Sequence, residues 1–208
     1  MYKNYIFDQG DIILDIDAGL SLNAFQKLLP PSSKPLPISV ADLMGGSEGR
    51  LVCEYQVGNI STSEFLHSLK SVVRQDVTEA QILDAWNAMI LDIPSERLDA
   101  LLELRRRGAR VFMLSNTNDG HTTHIINKCF AGSRNNMLRY FDDLFLSHEM
   151  HLAKPDSEIY SETIRRAGID PSATIYFDDL PQNIEAGNRV GFHSVLTKGS
   201  AWLSLLDL

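Results

Sequence analysis

The sequence is poor in three things, and each absence narrows the answer. It has only two cysteines in 208 residues, Cys53 and Cys129, far apart. A disulfide scaffold needs a dense, even set, and a structural zinc site needs four closely placed ligands, so two distant thiols support neither. It has no long apolar run. Tyr5-Ile6-Phe7 is stopped by Asp8, short of the ~7–15 apolar residues of a secretory signal and the ~18 of a membrane span. It is also short of positive charge: 19 Lys+Arg against 27 Asp+Glu leave a net charge of -8. Charge of that sign does not draw in a phosphate backbone. The expectation is a cytoplasmic protein with no membrane and no nucleic-acid partner. The sequence carries no signal for oligomeric state.

What is present alternates. The apolar runs 5–7, 110–114, 144–146, 174–177 and 193–196 have the length and composition of buried strands. Helical patterns separate the later ones. Ser95 is placed to cap a helix with Leu98, Leu101, Leu102 and Leu104 inward, stopped at Gly108. Asp156 is placed to cap the next, with Ile159, Tyr160, Thr163 and Ile164 inward and Gly168 as its stop. Pro181 opens a third that ends before Gly191. Strands alternating with helices predict an α/β fold, a parallel sheet covered on both faces.

One region interrupts the pattern. Between about Leu20 and Asp92 there is no buried strand. Leu22, Phe25, Leu28 and Leu29 fit a helix that the proline-rich residues 30–37 break. Ser61 and Thr78 are placed to cap two more, with Phe65, Leu66 and Leu69, then Ile82, Leu83 and Trp86, inward. Gly45-Gly46-Ser47-Glu48-Gly49 fits a flexible loop. The chain therefore divides into a core, residues 1–17 and 91–208, and a small inserted helical domain, residues 18–90. Ligands of open α/β sheets lie beyond the carboxyl ends of the strands, where such an insertion forms a roof.

Polar residues gather at those ends. The first strand runs into Asp8, the second into Ser115-Asn116, the third region into Lys154-Pro155, the fourth into Asp178-Asp179 with Asn183 beyond. Hard oxygen ligands suit Mg²⁺ with a phosphate. A carboxylate can attack phosphorus, and a lysine and a hydroxyl can neutralise the transferring group.

These four motifs, in this order, resemble those of the haloacid dehalogenase-like hydrolase superfamily along nearly the whole chain. The segments 6–17, 58–61 and 114–123 are similar to its branch of sugar-phosphate phosphatases that includes α-D-glucose-1-phosphatase. The resemblance implies a Rossmann-like core with a helical cap. It also implies a Mg²⁺-dependent phosphatase of a small phosphorylated metabolite, such as a 1-phosphosugar. By it Asp8 is the nucleophile and a metal ligand, and the Gly10 carbonyl is a second ligand. Ser115 and the Asn116 backbone hold the phosphoryl group, and Lys154 neutralises it. Asp179 binds the metal directly, with Asp178 and Asn183 behind a metal-bound water.

Position 10 departs from the pattern, because phosphatases of the superfamily usually carry an acid/base Asp there. Asp11, Asp15 and Asp17 are the nearby carboxylates, and the bland expectation for all three is surface charge. Two alternatives follow: a non-catalytic phosphosugar binder, or a metal-independent dehalogenase. His121 and His124 fit a solvated helix face, and Arg50 and His67 are the inserted side chains first in line to meet substrate. Trp202, Leu203, Leu205 and Leu206 fit a packed tail.

Overall fold

The computed structural model describes residues 2–31 and 50–206. The glycine-rich stretch 45–49 and most of the proline-rich break lie outside them. The five apolar runs become five parallel strands: β1 (Asn4–Phe7), β2 (Arg110–Ser115), β3 (Asp143–Leu146), β4 (Thr174–Asp178) and β5 (His193–Leu196). They lie in the order β3-β2-β1-β4-β5, with Phe7 opposite both Met113 and Phe177.

Successive strand side chains point to opposite faces, and β1 shows the consequence. Tyr5 and Phe7 join one apolar cluster with Leu101, Leu104, Ile125 and Trp202. Ile6 joins the other, with Phe112, Leu114, Ile159, Tyr160 and Ala186. Both faces are thus covered, as a parallel sheet requires. The helices that cover them are α5 (Ser95–Arg106), α6 (Asp119–Cys129), α9 (Ser157–Ala167) and α10 (Pro181–Arg189), with short α7 (Arg134–Met137) and α8 (Ser147–Met150) beside β3. Trp202 sits in a 3-10 helix (Gly199–Leu205), fully buried, its ring 4.7 Å from Phe7 and its Nε1 donating to the Ile12 carbonyl at 3.1 Å. The tail packs as expected, except that Leu205 is exposed.

Among the described residues, four helices stand between β1 and α5: α1 (Ala18–Leu28), α2 (Arg50–Gln56), α3 (Thr62–Lys70) and α4 (Glu79–Asn87). They share a core of their own, with Phe25, Tyr55, Phe65, Ile82 and Trp86 at its centre. Tyr55 stacks on Phe65 at 4.3 Å, and Phe65 meets Trp86 edge-on at 4.8 Å. Truncating a buried ring of this kind costs about 3–5 kcal/mol. Ser61 and Glu64, then Thr78 and Gln81, form reciprocal capping boxes that start α3 and α4, each box contributing about 1 kcal/mol.

Several expectations are corrected. Ser95 is the first residue of α5 rather than its cap, which falls on Pro94 with no side-chain bond. Leu102 faces solvent at 40% exposure, because the sheet takes only the 101/104 side of that helix. Asp156 occupies the cap position of α9 without making the capping bond. β5 is only half-buried, since it has a single neighbouring strand. Among the described residues no helix is long and apolar enough to cross a membrane.

Candidate active site

A cavity opens beyond the carboxyl ends of the strands, between the sheet and the inserted helices. Its polar end is lined by Asp8, Gln9, Gly10, Ser115, Asn116, Lys154, Asp179 and Asn183. Its other wall is mainly apolar and includes Trp86, Met89, His121 and Ile125. The gathering follows from topology: β1, β2 and β4 are neighbours and parallel, so the residues that follow them emerge together.

Lys154 is the hub. Its ammonium lies 2.8 Å from Asp8 Oδ1 and 2.7 Å from Asp178 Oδ2, with the side chain only 1% exposed. Asp8 Oδ1 also accepts the Gln9 backbone N–H at 2.7 Å. Asp178 is far better supplied. It accepts the Leu180 N–H at 2.9 Å, Asn183 Nδ2 at 2.9 and 3.1 Å, and the Tyr176 hydroxyl. Asp179, half-buried, completes a trio whose carboxylate oxygens lie within 4.8 Å of one another.

The electrostatics separate these acids. Burial pushes Asp8 up to about 7, with the Asp178 charge adding to it, while Lys154 and the Gln9 N–H pull the other way. Burial also opposes the Asp178 charge, but Lys154, Tyr176 and Leu180 overcome it and hold that carboxyl below its ordinary range. Asp179 is raised by burial, then by Asp178 and Asp11. Burial works against the Lys154 charge too, and the Asp178 and Asp8 carboxylates more than reverse it. One ammonium faces three carboxylates. That surplus, presented as hard oxygen donors, fits a divalent cation of the Mg²⁺ type rather than a soft metal.

The remaining expected residues have definite places. Ser115 ends β2, buried, its Oγ 3.5 Å from Gln9 Oε1. Asn116 exchanges two hydrogen bonds of 2.8 Å with the Lys154 backbone, fixing the lysine loop to the β2 end. A Cβ on Gly10 would lie 3.3 Å from Ile16 Cδ1. Asn183 donates from its side chain to both Asp178 carboxylate oxygens. Asp11, Asp15 and Asp17 stay off the cavity lining. Asp11 pairs with Lys198 at 2.9 Å, Asp15 pairs with the buried Arg97 at 2.8 Å, and Asp17 caps α1 through the Gly19 N–H. All three carry structural bonds.

His121 overturns its expectation. It is buried, not solvated, and stacks on Trp86 with centroids 4.9 Å apart and planes 15° off parallel. Burial pulls it down to about 4. Its Nε2–H donates to the Trp86 carbonyl at 3.3 Å and its Nδ1 accepts from Asn118 at 3.2 Å, a pairing that fits the neutral ring. Arg50 and His67 are exposed and do not line the cavity. The inserted helices contribute Gln56 and Trp86 instead. Trp86 shows in the sequence as an inward residue, but nothing there ties it to His121, and Gln56 carries no sequence signal at all.

Bonds across this boundary hold the inserted helices on the core. Tyr55 Oη accepts the Gly120 N–H at 2.8 Å, Thr62 Oγ1 donates to Asp119 Oδ2 at 2.7 Å, and Trp86 Nε1 donates to Asn118 Oδ1 at 3.3 Å. Ser147 Oγ donates to the Gln56 carbonyl at 2.6 Å. Gly58 (φ 70°) lies so close to α8 that a Cβ would stand 2.2 Å from the His148 carbonyl oxygen.

Comparison with known proteins agrees with this geometry. The sequence model of the haloacid dehalogenase-like hydrolases matches residues 25–191. The D-ribitol-5-phosphate phosphatase of Bacteroides thetaiotaomicron is 29% identical over 201 residues, covering 97% of this chain and 94% of its own. A haloacid dehalogenase family enzyme of the same bacterium, solved with magnesium and inorganic phosphate, superposes with a TM-score of 0.84 at 28% identity. That match covers 99% of this chain and 100% of the other. The L-2-haloacid dehalogenase of Xanthobacter autotrophicus, 15% identical over 95% of this chain and 78% of its own, shares the fold with a TM-score of 0.61. The chain belongs to the haloacid dehalogenase-like hydrolase family.

Proposed function

We propose that this protein is a Mg²⁺-dependent phosphatase of a small phosphorylated sugar or polyol, working through an aspartyl-phosphate on Asp8, with residues 18–90 as a cap over the site. The observation that carries the reading is the buried Asp8 carboxylate, 2.8 Å from Lys154 and clustered with Asp178 and Asp179, with Asp8, Lys154 and Asp179 lining one cavity.

Asp8 attacks phosphorus, the bond to the ester oxygen breaks, and that oxygen leaves as an alkoxide that takes its proton from solvent. Water then attacks the same phosphorus, releases inorganic phosphate and restores Asp8. Lys154 and the Ser115 hydroxyl take up charge on the equatorial oxygens, and the Asn116 backbone N–H adds a donor, since its side chain is committed to the Lys154 loop. Asp8, Asp179 and the Gly10 carbonyl would hold the ion. Asp178 has both oxygens engaged by protein donors, so it stands behind, fixing Lys154, and Asn183 fixes Asp178 in turn. Bound Mg²⁺ supplies positive charge against the nucleophile and the phosphoryl oxygens.

No carboxylate replaces the one missing at Gly10 among the described lining residues, so the leaving oxygen departs without a strong acid beside it. That favours esters whose alcohols leave easily, anomeric phosphates first. The similarity to a ribitol-5-phosphate phosphatase adds phosphorylated polyols to the set. The test is phosphate release from a panel holding both classes, with Mg²⁺ and with chelator, in the wild type and Asp8→Asn. Mg²⁺-dependent release lost in Asp8→Asn supports the reading. Release that survives the substitution refutes the nucleophile, and halide release from haloacids without metal refutes the reaction class.

A further inference from the structure

We propose that Gln9 is a phosphoryl-binding residue of this site, its side-chain NH₂ donating to the phosphoryl oxygen next to Ser115. The inference rests on the phosphatase reading above and adds a donor to it. Gln9 follows the nucleophile directly, and its backbone N–H is bonded to Asp8 Oδ1, which fixes the peptide. The side chain is only 4% exposed and lines the cavity. Its Oε1 is turned toward Ser115 Oγ at 3.5 Å, the long limit of a hydrogen bond. Its NH₂ donates to no protein acceptor among the described residues, yet it is not among the sealed polar atoms that lack a partner.

Those observations leave the NH₂ facing the cavity, in reach of whatever occupies it. An apolar side chain of equal size would fill the position without carrying an unpaired polar group into a buried site. Donors in the site are few for the anion it would hold. A bound phosphoryl group spreads its charge over three equatorial oxygens. Two of the three Lys154 N–H groups are held by Asp8 and Asp178, Ser115 has a single proton, and the Asn116 backbone adds one N–H. Gln9 supplies a neutral donor beside Ser115, and its long contact with that hydroxyl is readily given up to an anion.

The test compares wild type with Gln9→Met, Gln9→Leu and Gln9→Glu. Calorimetric titration of the Mg²⁺-loaded proteins with inorganic phosphate and orthovanadate is read beside kcat and KM, with thermal unfolding as the control for folding. The expected result is a loss of about 10- to 100-fold in orthovanadate affinity for Met and Leu, matched by a similar fall in kcat. KM moves little, and Gln9→Glu loses more despite its shape. Orthovanadate affinity within about twofold of wild type in either folded apolar variant overturns the proposal, whatever kcat does. A wild type that releases no phosphate, but binds it more tightly than Gln9→Met does, overturns the enzymatic reading and upholds the Gln9 contact. A wild type that binds neither anion overturns both.

Discussion

Replacing Lys154 by Met removes one charge and almost no volume, so its effect is electrostatic. The ammonium is 1% exposed and serves two buried carboxylates at 2.8 and 2.7 Å. Removing one partner of a buried pair costs about 3–5 kcal/mol, because the other charge stays behind uncompensated. The two acids left behind are not equal. Among the described residues Asp178 keeps Tyr176, Leu180 and Asn183 as donors, whereas Asp8 keeps only the Gln9 N–H. The penalty therefore falls on Asp8, and protonation relieves it. In the folded protein Asp8 sits near 7, against 3.8 when unfolded, so the native state holds a proton that the unfolded chain has released. A carboxyl raised in this way loses stability as pH rises from its unfolded value through its folded one. Without Lys154 the folded value climbs further, and each added unit is worth about 1.4 kcal/mol above the window.

Urea unfolding in chelator is the assay. At pH 5.5, where Asp8 is largely neutral in both proteins, Lys154→Met should lose about 2 kcal/mol, the value of the Asp178 contact alone. At pH 8.5 the loss should reach about 3–5 kcal/mol. A loss equal at both pH values, or below about 1 kcal/mol at pH 8.5, refutes the view that Lys154 balances a charged Asp8.

Three other predictions test other parts of the structure. Mg²⁺ at about a hundred times its dissociation constant should stabilise the wild type by about 2.7 kcal/mol; calorimetric melting should show that shift shrink sharply in Asp179→Asn. His121, held at about 4 against 6.5 unfolded, resists protonation when folded, so it withdraws stability as pH falls from 6.5 to 4. Replacing it by Gln should flatten the acid limb of a stability-pH curve by about 3 kcal/mol, the 2.5-unit shift converted, and an unchanged limb counts against the buried neutral ring. Gly58→Ala should destabilise by more than about 2 kcal/mol, since it combines a positive φ with a Cβ 2.2 Å from backbone oxygen; an unchanged melting temperature rejects that packing.

The polar end of the cavity was legible because chain topology alone assembles it. Asp8, Ser115 and Asp178 each terminate or follow an apolar run, and parallel neighbouring strands bring such ends together without any further information. The apolar wall was not legible, because it depends on how one layer settles on another. His121 carries the local pattern of an exposed helix residue. It is buried by Trp86, 35 positions away, which only the docked inserted helices bring over it. Exposure misled in two smaller places for the same reason. Leu102 and Leu104 are equally apolar, and only the line of contact with the sheet decides that Leu104 is covered. The run 193–196 reads as a strand, but His193 and Ser194 make half of it polar, and it ends up at an edge.

The bonds joining the inserted helices to α6 have an evolutionary corollary. Tyr55, Thr62 and Trp86 satisfy groups on Gly120, Asp119 and Asn118, the first turn of a core helix. The segment roofing the cavity is therefore not a cassette that recombination can exchange freely between relatives. A transplanted roof would strand a buried backbone N–H and unseat His121 unless residues 118–121 came with it. Changes of preference in this lineage should instead accumulate as single substitutions along the apolar wall, each one epistatic to that first helical turn.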